Sequence, residues 1–343
     1  MNTEIIAQEN KIFETLSGSR AYGMARPESD TDYRGIFIAP KENVITGLFT
    51  IDQWIDPNED RTLYELRKFM KLLSAQNPNI IELLWVRDED IITRTPEYDY
   101  LRENREMFLS SKARYTFAGY AFSQLKRIKG HNKWLNNPKP EKKPQMKDYV
   151  RIFGGKDHGD ILGDNHNGLF FQRLHGHVYT VDLDNGSDKK LYTRSGEMII
   201  APGKIDDHNN ARCIATFDRD AYEHDKNDWQ GYWDWNTNRN KVRHRLEKEH
   251  GFDTKHASHL IRLLRMGSEI LNDGVVNVYR PDAEELLDIR RGKYSYDEII
   301  KMSDGLMADI ETSYETTKLR RHVDNKMVSK IILNMYEMYW RSE

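Results

Sequence analysis

The sequence predicts a mixed α+β protein, and three observations carry that expectation. Short β-rich runs alternate with helical periodicity over residues 1–95; residues 150–230 are rich in strand formers and turn residues; residues 231–343 are patterned as helix. Four segments follow: a mixed core at 1–95, a helical segment with a basic loop at 96–149, a β-rich insert at 150–230 and a C-terminal helical domain at 231–343.

Composition bounds what such a chain can do. With 343 residues it can bury a sizeable core and divide into more than one unit. An apolar fraction of 38% beside 31% charged residues excludes a disordered chain. A formal charge of −3 carries no global signature of polyanion binding, so any nucleic-acid surface must be local. Cys213 is the single cysteine, which excludes an internal disulfide framework and a cysteine-based zinc site. No apolar run approaches eighteen residues and the N-terminus has no signal-peptide pattern, so a cytoplasmic enzyme is expected.

Taken in order, residues 1–16 read as a helix or strand entering a turn at Gly18-Ser19. Arg34 to Ala39 is a strand stopped by Pro40, and Val44 to Trp54 offers further strand material. Leu66, Phe69, Met70 and Leu73 recur at helical spacing; Asn77-Pro78-Asn79 then punctuates the chain before the apolar run Ile80 to Trp85. Helix is expected over 95–135, ended by Pro138, Pro140 and Pro144. In the insert, Val178–Val181 and Lys190–Thr193 predict a hairpin about Asp184-Asn185-Gly186, with further strands at Met198–Ile200 and Cys213–Phe217. From Trp229 the pattern is helical again. Asp253-Thr254 caps a helix through Leu260, Leu263 and Leu264 to Ile270; Val275–Tyr279 is extended, Pro281 opens a helix through Leu287, and helices over 296–311 and 322–340 close the chain.

The chemistry concentrates in Gly18 to Asp32. Gly18 lets backbone approach an anion, and Ser19 offers its amide and hydroxyl to a phosphate. Asp30 and Asp32 alternate along an extended segment, so both carboxylates can face one way and hold a divalent cation. Without a cation or proton between them, two such acids repel. Two-metal phosphoryl transfer asks for a third carboxylate, and Asp60 and Glu65 are the candidates. They are an odd number of residues apart, so one continuous strand cannot aim both at one site; Asp60, entering a strand, is favoured over Glu65 at a helix N-terminus.

Two cationic segments stand apart from this core. Lys255, His259 and Arg262 share one helix face, which suits a triphosphate or a nucleic-acid backbone. His256 and His259 are spaced for a metal, but no nearby acid or cysteine completes a set. Lys126, Lys129 and Lys133 with Trp134 combine phosphate-binding cations and a stacking ring. His158, His166, His175 and His177 read as surface residues of Gly/Asp-rich loops.

Gly-Ser followed by Asp-Xaa-Asp on a strand resembles the signature of the DNA polymerase β-like nucleotidyltransferases. The run Gly18-Ser19-Arg20-Ala21-Tyr22-Gly23 through Ser29-Asp30-Thr31-Asp32-Tyr33-Arg34-Gly35 looks like their RNA-repair-associated branch in bacteria and phages. So do Tyr64-Glu65-Leu66-Arg67-Lys68-Phe69 with Asn77-Pro78-Asn79 and Glu82, Gly130-His131-Asn132-Lys133-Trp134, and Gly251 through Leu260 with Arg262. The resemblance implies a small mixed sheet with flanking helices, a nucleotidyltransferase core at 1–95, a nucleoside triphosphate substrate and magnesium or manganese. It implies that Gly18, Ser19 and Arg20 hold the triphosphate, that Asp30 and Asp32 bind the ions, and that Lys255, His259 and Arg262 face the cleft.

The expected activity is metal-dependent transfer of a nucleoside monophosphate to an acceptor hydroxyl, with an RNA end, tRNA-like, as favoured acceptor. A protein side chain as acceptor, as in toxin–antitoxin nucleotidylation, and a degenerate nucleic-acid-binding protein are the alternatives. The oligomeric state and the base are not legible.

Overall fold

A computed structural model describes residues 3–153, 169–183, 190–201, 211–238 and 241–342. It is mixed α+β, as expected, and forms two compact units: Met1–Leu135 with Val242–Glu343, and Asn136–Lys241. The N-terminal strands, the long central helix and the C-terminal helices thus share one unit rather than three. Their apolar residues, Phe13, Phe69, Phe117, Leu260 and Ile331 among them, belong to one continuous core.

In the first unit, α1 (Thr3–Glu9) leads into β1 (Lys11–Ser17), then α2 (Gly18–Ala21) and β2 (Asp32–Phe37). Both alternatives expected for residues 1–16 therefore occur, one after the other. α3 (Lys41–Thr46) takes the first three residues of the stretch read as strand, and Gly47 stops it with a φ of 65°. β3 is the short Gln53–Asp56, followed by β4 (Arg61–Glu65) and α4 (Leu66–Ser74). Leu66, Phe69, Met70 and Leu73 are all fully buried, each contributing roughly 1.5–3 kcal/mol.

The apolar run after Asn77-Pro78-Asn79 is helical. Asn77 accepts from the Asn79 amide and Pro78 occupies the first turn, so the punctuation starts α5 (Pro78–Ile81) and a 3₁₀ turn, Glu82–Leu84. β5 (Ile91–Arg94), α6 (Pro96–Glu103) and α7 (Ala113–Asn136) follow. The sheet order is β3-β4-β2-β1-β5. β2 runs parallel to β4; the β1–β2, β1–β5 and β3–β4 pairs are antiparallel.

The second unit is an antiparallel sheet in the order β6-β9-β8-β7, made of β6 (Val150–Phe153), β7 (Leu169–His175), β8 (Val178–Leu183) and β9 (Ala211–Phe217). Its hairpin is β7–β8, turning at Gly176, where φ is 55°. That displaces the hairpin expected after β8: Tyr192 makes only an isolated bridge to Met198, and Ile200 one to Phe171. Asp184-Asn185-Gly186, His158 and His166 lie outside the described residues. Once Leu169–His175 has taken one edge of β8 and β9 the other, β8 has no hydrogen-bonding edge left for Lys190–Thr193. α8 (Arg219–Thr237) starts ten residues before the expected point, capped by Asp218, and places Tyr222 against Tyr149 and Phe217.

The chain re-enters the first unit through α9 (Lys241–His250) and α10 (Thr254–Asp273). Asp253 caps α10 by accepting from the His256 amide at 3.0 Å, as its position predicts. α10 is the most buried of the C-terminal helices; Phe252, Leu260, Leu263 and Leu264 are fully covered. Residues 275–279 are irregular. α11 (Ala283–Arg290), α12 (Tyr296–Thr316), opened by a Ser295/Glu298 capping box, and α13 (Asn325–Ser342) complete the unit.

Candidate active site

Sheet register decides which acids meet. In the parallel β2–β4 pair Tyr33 lies opposite Arg61, so Asp32 and Asp60, one position earlier on each chain, are neighbours; the Tyr33 amide donates to the Asp60 carbonyl at 3.1 Å. Asp32 is the first residue of β2. Asp30 lies just before the strand, so strand alternation does not set its direction, yet it lines the same cavity. Asp60 sits in the turn before β4 with a φ of 45°, a left-handed conformation that aspartate tolerates better than most residues.

The structure separates the two candidates for a third acid. Asp60 borders the cavity. Glu65 is 1% exposed and turned into the core, where it accepts from the Arg67 amide at 2.8 Å and from the Tyr336 hydroxyl at 2.7 Å. It caps α4 and holds α13 to it.

The cavity measures about 430 Å³. It gathers Gly18, Ser19, Asp30, Asp32 and Asp60 from the sheet side with Lys255, His259 and Arg262 from α10, residues far apart in sequence. Gly18 is held at a φ of 61°, and a Cβ there would fall onto the Asp32 carboxylate, 3.0 Å from its Cγ. The glycine thus makes room for Asp32 first and for any phosphate second. Arg20 is outside the lining; its Nε donates to Thr31 Oγ1 at 2.9 Å and ties the turn to the Asp30–Asp32 segment.

Electrostatics reflect three acids on one wall. Burial, and then the Asp60 carboxylate beside it, push Asp32 up to about 6. Its hydrogen bond to Asp32 holds Asp60 below the usual carboxylate range. Arg34, absent from the sequence-level candidates, bridges them, with Nη2 3.2 Å from Asp60 Oδ1 and 3.8 Å from Asp32 Oδ1. An arginine two residues after an aspartate on an alternating strand was the available signal.

The α10 face is less cationic than its spacing predicts. Burial and the Arg262 guanidinium lower His259 from 6.5 to about 2, so its ring is neutral. Arg262 is 2% exposed and stacks on the Tyr22 ring at 3.8 Å, with Nη1 3.4 Å from Glu82 Oε2. Tyr22 donates to Glu82 Oε1 at 2.7 Å. Burial raises both Glu82 and Tyr22 above their ordinary values. This buried trio backs the cavity, while Lys255 and Arg290 supply cations to its lining. Arg290 was missed because it comes from the end of α11, outside any motif.

Three hard oxygen donors on one wall, Asp30, Asp32 and Asp60, fit a divalent metal of the magnesium class. On α7, Lys126, Lys129 and Lys133 are exposed, while Trp134 is half-buried with its ring against His131, centroids 6.1 Å apart.

Comparison with known proteins agrees with this geometry. Over 133 residues the chain is 26% identical to an uncharacterized 38.9 kDa protein in the nrdC-mobD intergenic region of Enterobacteria phage T4, a match spanning 35% of this chain and 39% of that protein. No solved structure matches. Residues 3–151, which hold the five-stranded sheet, the Gly18-Ser19 turn and Asp30, Asp32 and Asp60, match the RNA repair pathway DNA polymerase beta family, the resemblance read from the sequence.

Proposed function

We propose that the chain is a magnesium-dependent nucleotidyltransferase that moves a nucleoside monophosphate from a triphosphate to the hydroxyl of an RNA end. The observation that carries this reading is the convergence of Asp30, Asp32 and Asp60 with Gly18-Ser19 and Lys255 on one cavity. In the reaction the acceptor hydroxyl gives up its proton to a carboxylate of the acid wall, its oxygen bonds to the α-phosphorus, the α–β phosphoanhydride bond breaks and pyrophosphate leaves.

Asp30, Asp32 and Asp60 hold the divalent ions, which neutralise phosphate charge when bound. Ser19 hydrogen-bonds the triphosphate, and Lys255 and Arg290 offset its negative charge. Arg262 is a positioning residue: paired with Glu82 and stacked on Tyr22, it fixes the α10 face from which neutral His259 meets the substrate. Lys126, Lys129 and Lys133 contact RNA phosphates. A cytoplasmic site of action accords with this substrate, and among the described residues no helix is long and apolar enough to cross a membrane.

The test is incubation of the full chain with labelled nucleoside triphosphates and Mg²⁺ or Mn²⁺, an RNA with a 3′ hydroxyl, and cell lysate. Label on the RNA is expected. Label on protein would move the acceptor to a side-chain hydroxyl, and full transfer by Asp32→Ala would overturn the site.

A further inference from the structure

On the same unit, the end of α7, α9 and the start of α10 bring together a second set of donors that the polymerase-like cavity does not use. His131, Glu247 and Asp253 each direct one ligand atom into a common space, all within 4.8 Å of one another. His131 Nδ1 is 3.6 Å from Glu247 Oε1 and 4.0 Å from Asp253 Oδ2; His256 Nε2 is 3.5 Å from the same Asp253 oxygen. We propose that His131, Glu247 and Asp253, with His256 at the rim, bind a divalent transition-metal ion of the zinc class.

The spacing carries the inference. Direct N–H···O hydrogen bonds close at about 2.7–3.2 Å, and these pairs are longer. Donors held about 2.0–2.2 Å from a central zinc lie about 3.3–3.6 Å from one another; His131–Glu247 at 3.6 Å and His256–Asp253 at 3.5 Å already match, and His131–Asp253 at 4.0 Å has only to close slightly on the ion. Charge points the same way. Glu247 and Asp253 are each 3% exposed, and two buried carboxylates turned toward one imidazole favour a cation between them. Two imidazoles and two carboxylates suit zinc better than magnesium, which prefers an all-oxygen shell.

The surroundings hold the donors in place. Asp253 spends Oδ1 on the His256 amide as the α10 cap, which leaves Oδ2 aimed at both histidines. Asn132 Nδ2 donates to the Gly251 carbonyl at 3.0 Å, tying the turn of α7 that bears His131 to the loop that presents Asp253. The ion would thereby clamp the helix whose next turn carries Lys255 and His259 into the cavity, a structural role separate from the three acids.

The experiment uses the full chain, stripped with chelator and titrated with Zn²⁺, with metal content after dialysis and the visible spectrum of the Co²⁺ form as readouts. Asp30→Asn/Asp32→Asn removes the other cation site and keeps the two proposals apart. Expected is one tightly held zinc per chain, kept in Asp30→Asn/Asp32→Asn and lost in Glu247→Gln. His131→Gln should weaken it beyond the ~10–100-fold typical of losing an outer-shell support. His256→Asn, at the rim, leaves both buried acids in place and should alter the Co²⁺ bands even where Glu247→Gln does not fold. No stoichiometric zinc in the wild-type chain, zinc that Asp30→Asn/Asp32→Asn removes, or Co²⁺ bands unchanged by His256→Asn would overturn the proposal.

Discussion

Asp30, Asp32 and Asp60 stand on an open wall at the start of two adjacent strands, with Arg34 bridging Asp32 and Asp60. Glu247 and Asp253 stand almost fully covered, drawn from two helices and faced by imidazoles. Both clusters concentrate negative charge, and they manage it differently. In the open cluster burial and the neighbouring Asp60 raise Asp32 while the bond to Asp32 lowers Asp60, a crowding of charge that an incoming cation can relieve. The covered cluster mixes nitrogen and oxygen donors, an arrangement for holding an ion rather than exchanging it. The same α10 helix touches both, with Lys255 and His259 on one side and Asp253 and His256 at its start.

The contrast can be broken at its strongest point first. Asp32→Ala should abolish nucleotide transfer, a loss beyond the ~10²–10³-fold of a single charge-stabilising donor, while zinc content at His131, Glu247 and Asp253 is unchanged; product assay and metal analysis on one preparation read both. Next comes Arg262→Leu, which strands buried Glu82 without its cation and should cost about 3–5 kcal/mol in denaturant unfolding. The double variant Glu82→Gln/Arg262→Leu should recover part of that loss; equal losses in single and double variants would show that the pair is not coupled.

Gly18→Ala should cost about 1–2 kcal/mol for the left-handed backbone alone. It should also weaken cation binding at Asp32, because the new methyl displaces that carboxylate. Unchanged Mg²⁺ affinity by calorimetry would separate the turn from the acid. Over a single pH unit the smallest effect is the pH dependence from His259. Its folded value near 2 lies below 6.5, so between the two the unfolded chain holds the extra proton. Stability therefore falls as pH drops below about 6.5, by at most about 1.4 kcal/mol per unit. His259→Asn should flatten that slope in thermal melts.

Much of the site was legible because its chemistry is local. Gly18, Ser19, Asp30 and Asp32 fall within fifteen residues, and a turn followed by a strand brings them together whatever else the chain does. Lys255, His259 and Arg262 were placed on one face by helical spacing alone, and that face does line the cavity. Spacing could not tell that burial would neutralise His259 or commit Arg262 to Glu82, because charge state depends on what packs around a group. Asp60 and Glu65 differed only in register, and the parallel β2–β4 pairing set that.

The histidine pair makes the same point from the other side. His256 and His259 sit three apart, and the fold turns them apart, His259 to the cavity and His256 toward Asp253, three residues before it, and the His131 ring. Glu247 and His131 are more than a hundred residues apart, so no local pattern joins them. By itself the sequence determined the α+β class, the helix cap at Asp253, and the turn-and-acid motif, since each follows from near neighbours and hydrophobic period. Which acid completes the wall, which cations stay charged and which distant donors meet were decided only when long-range packing set strand register and burial.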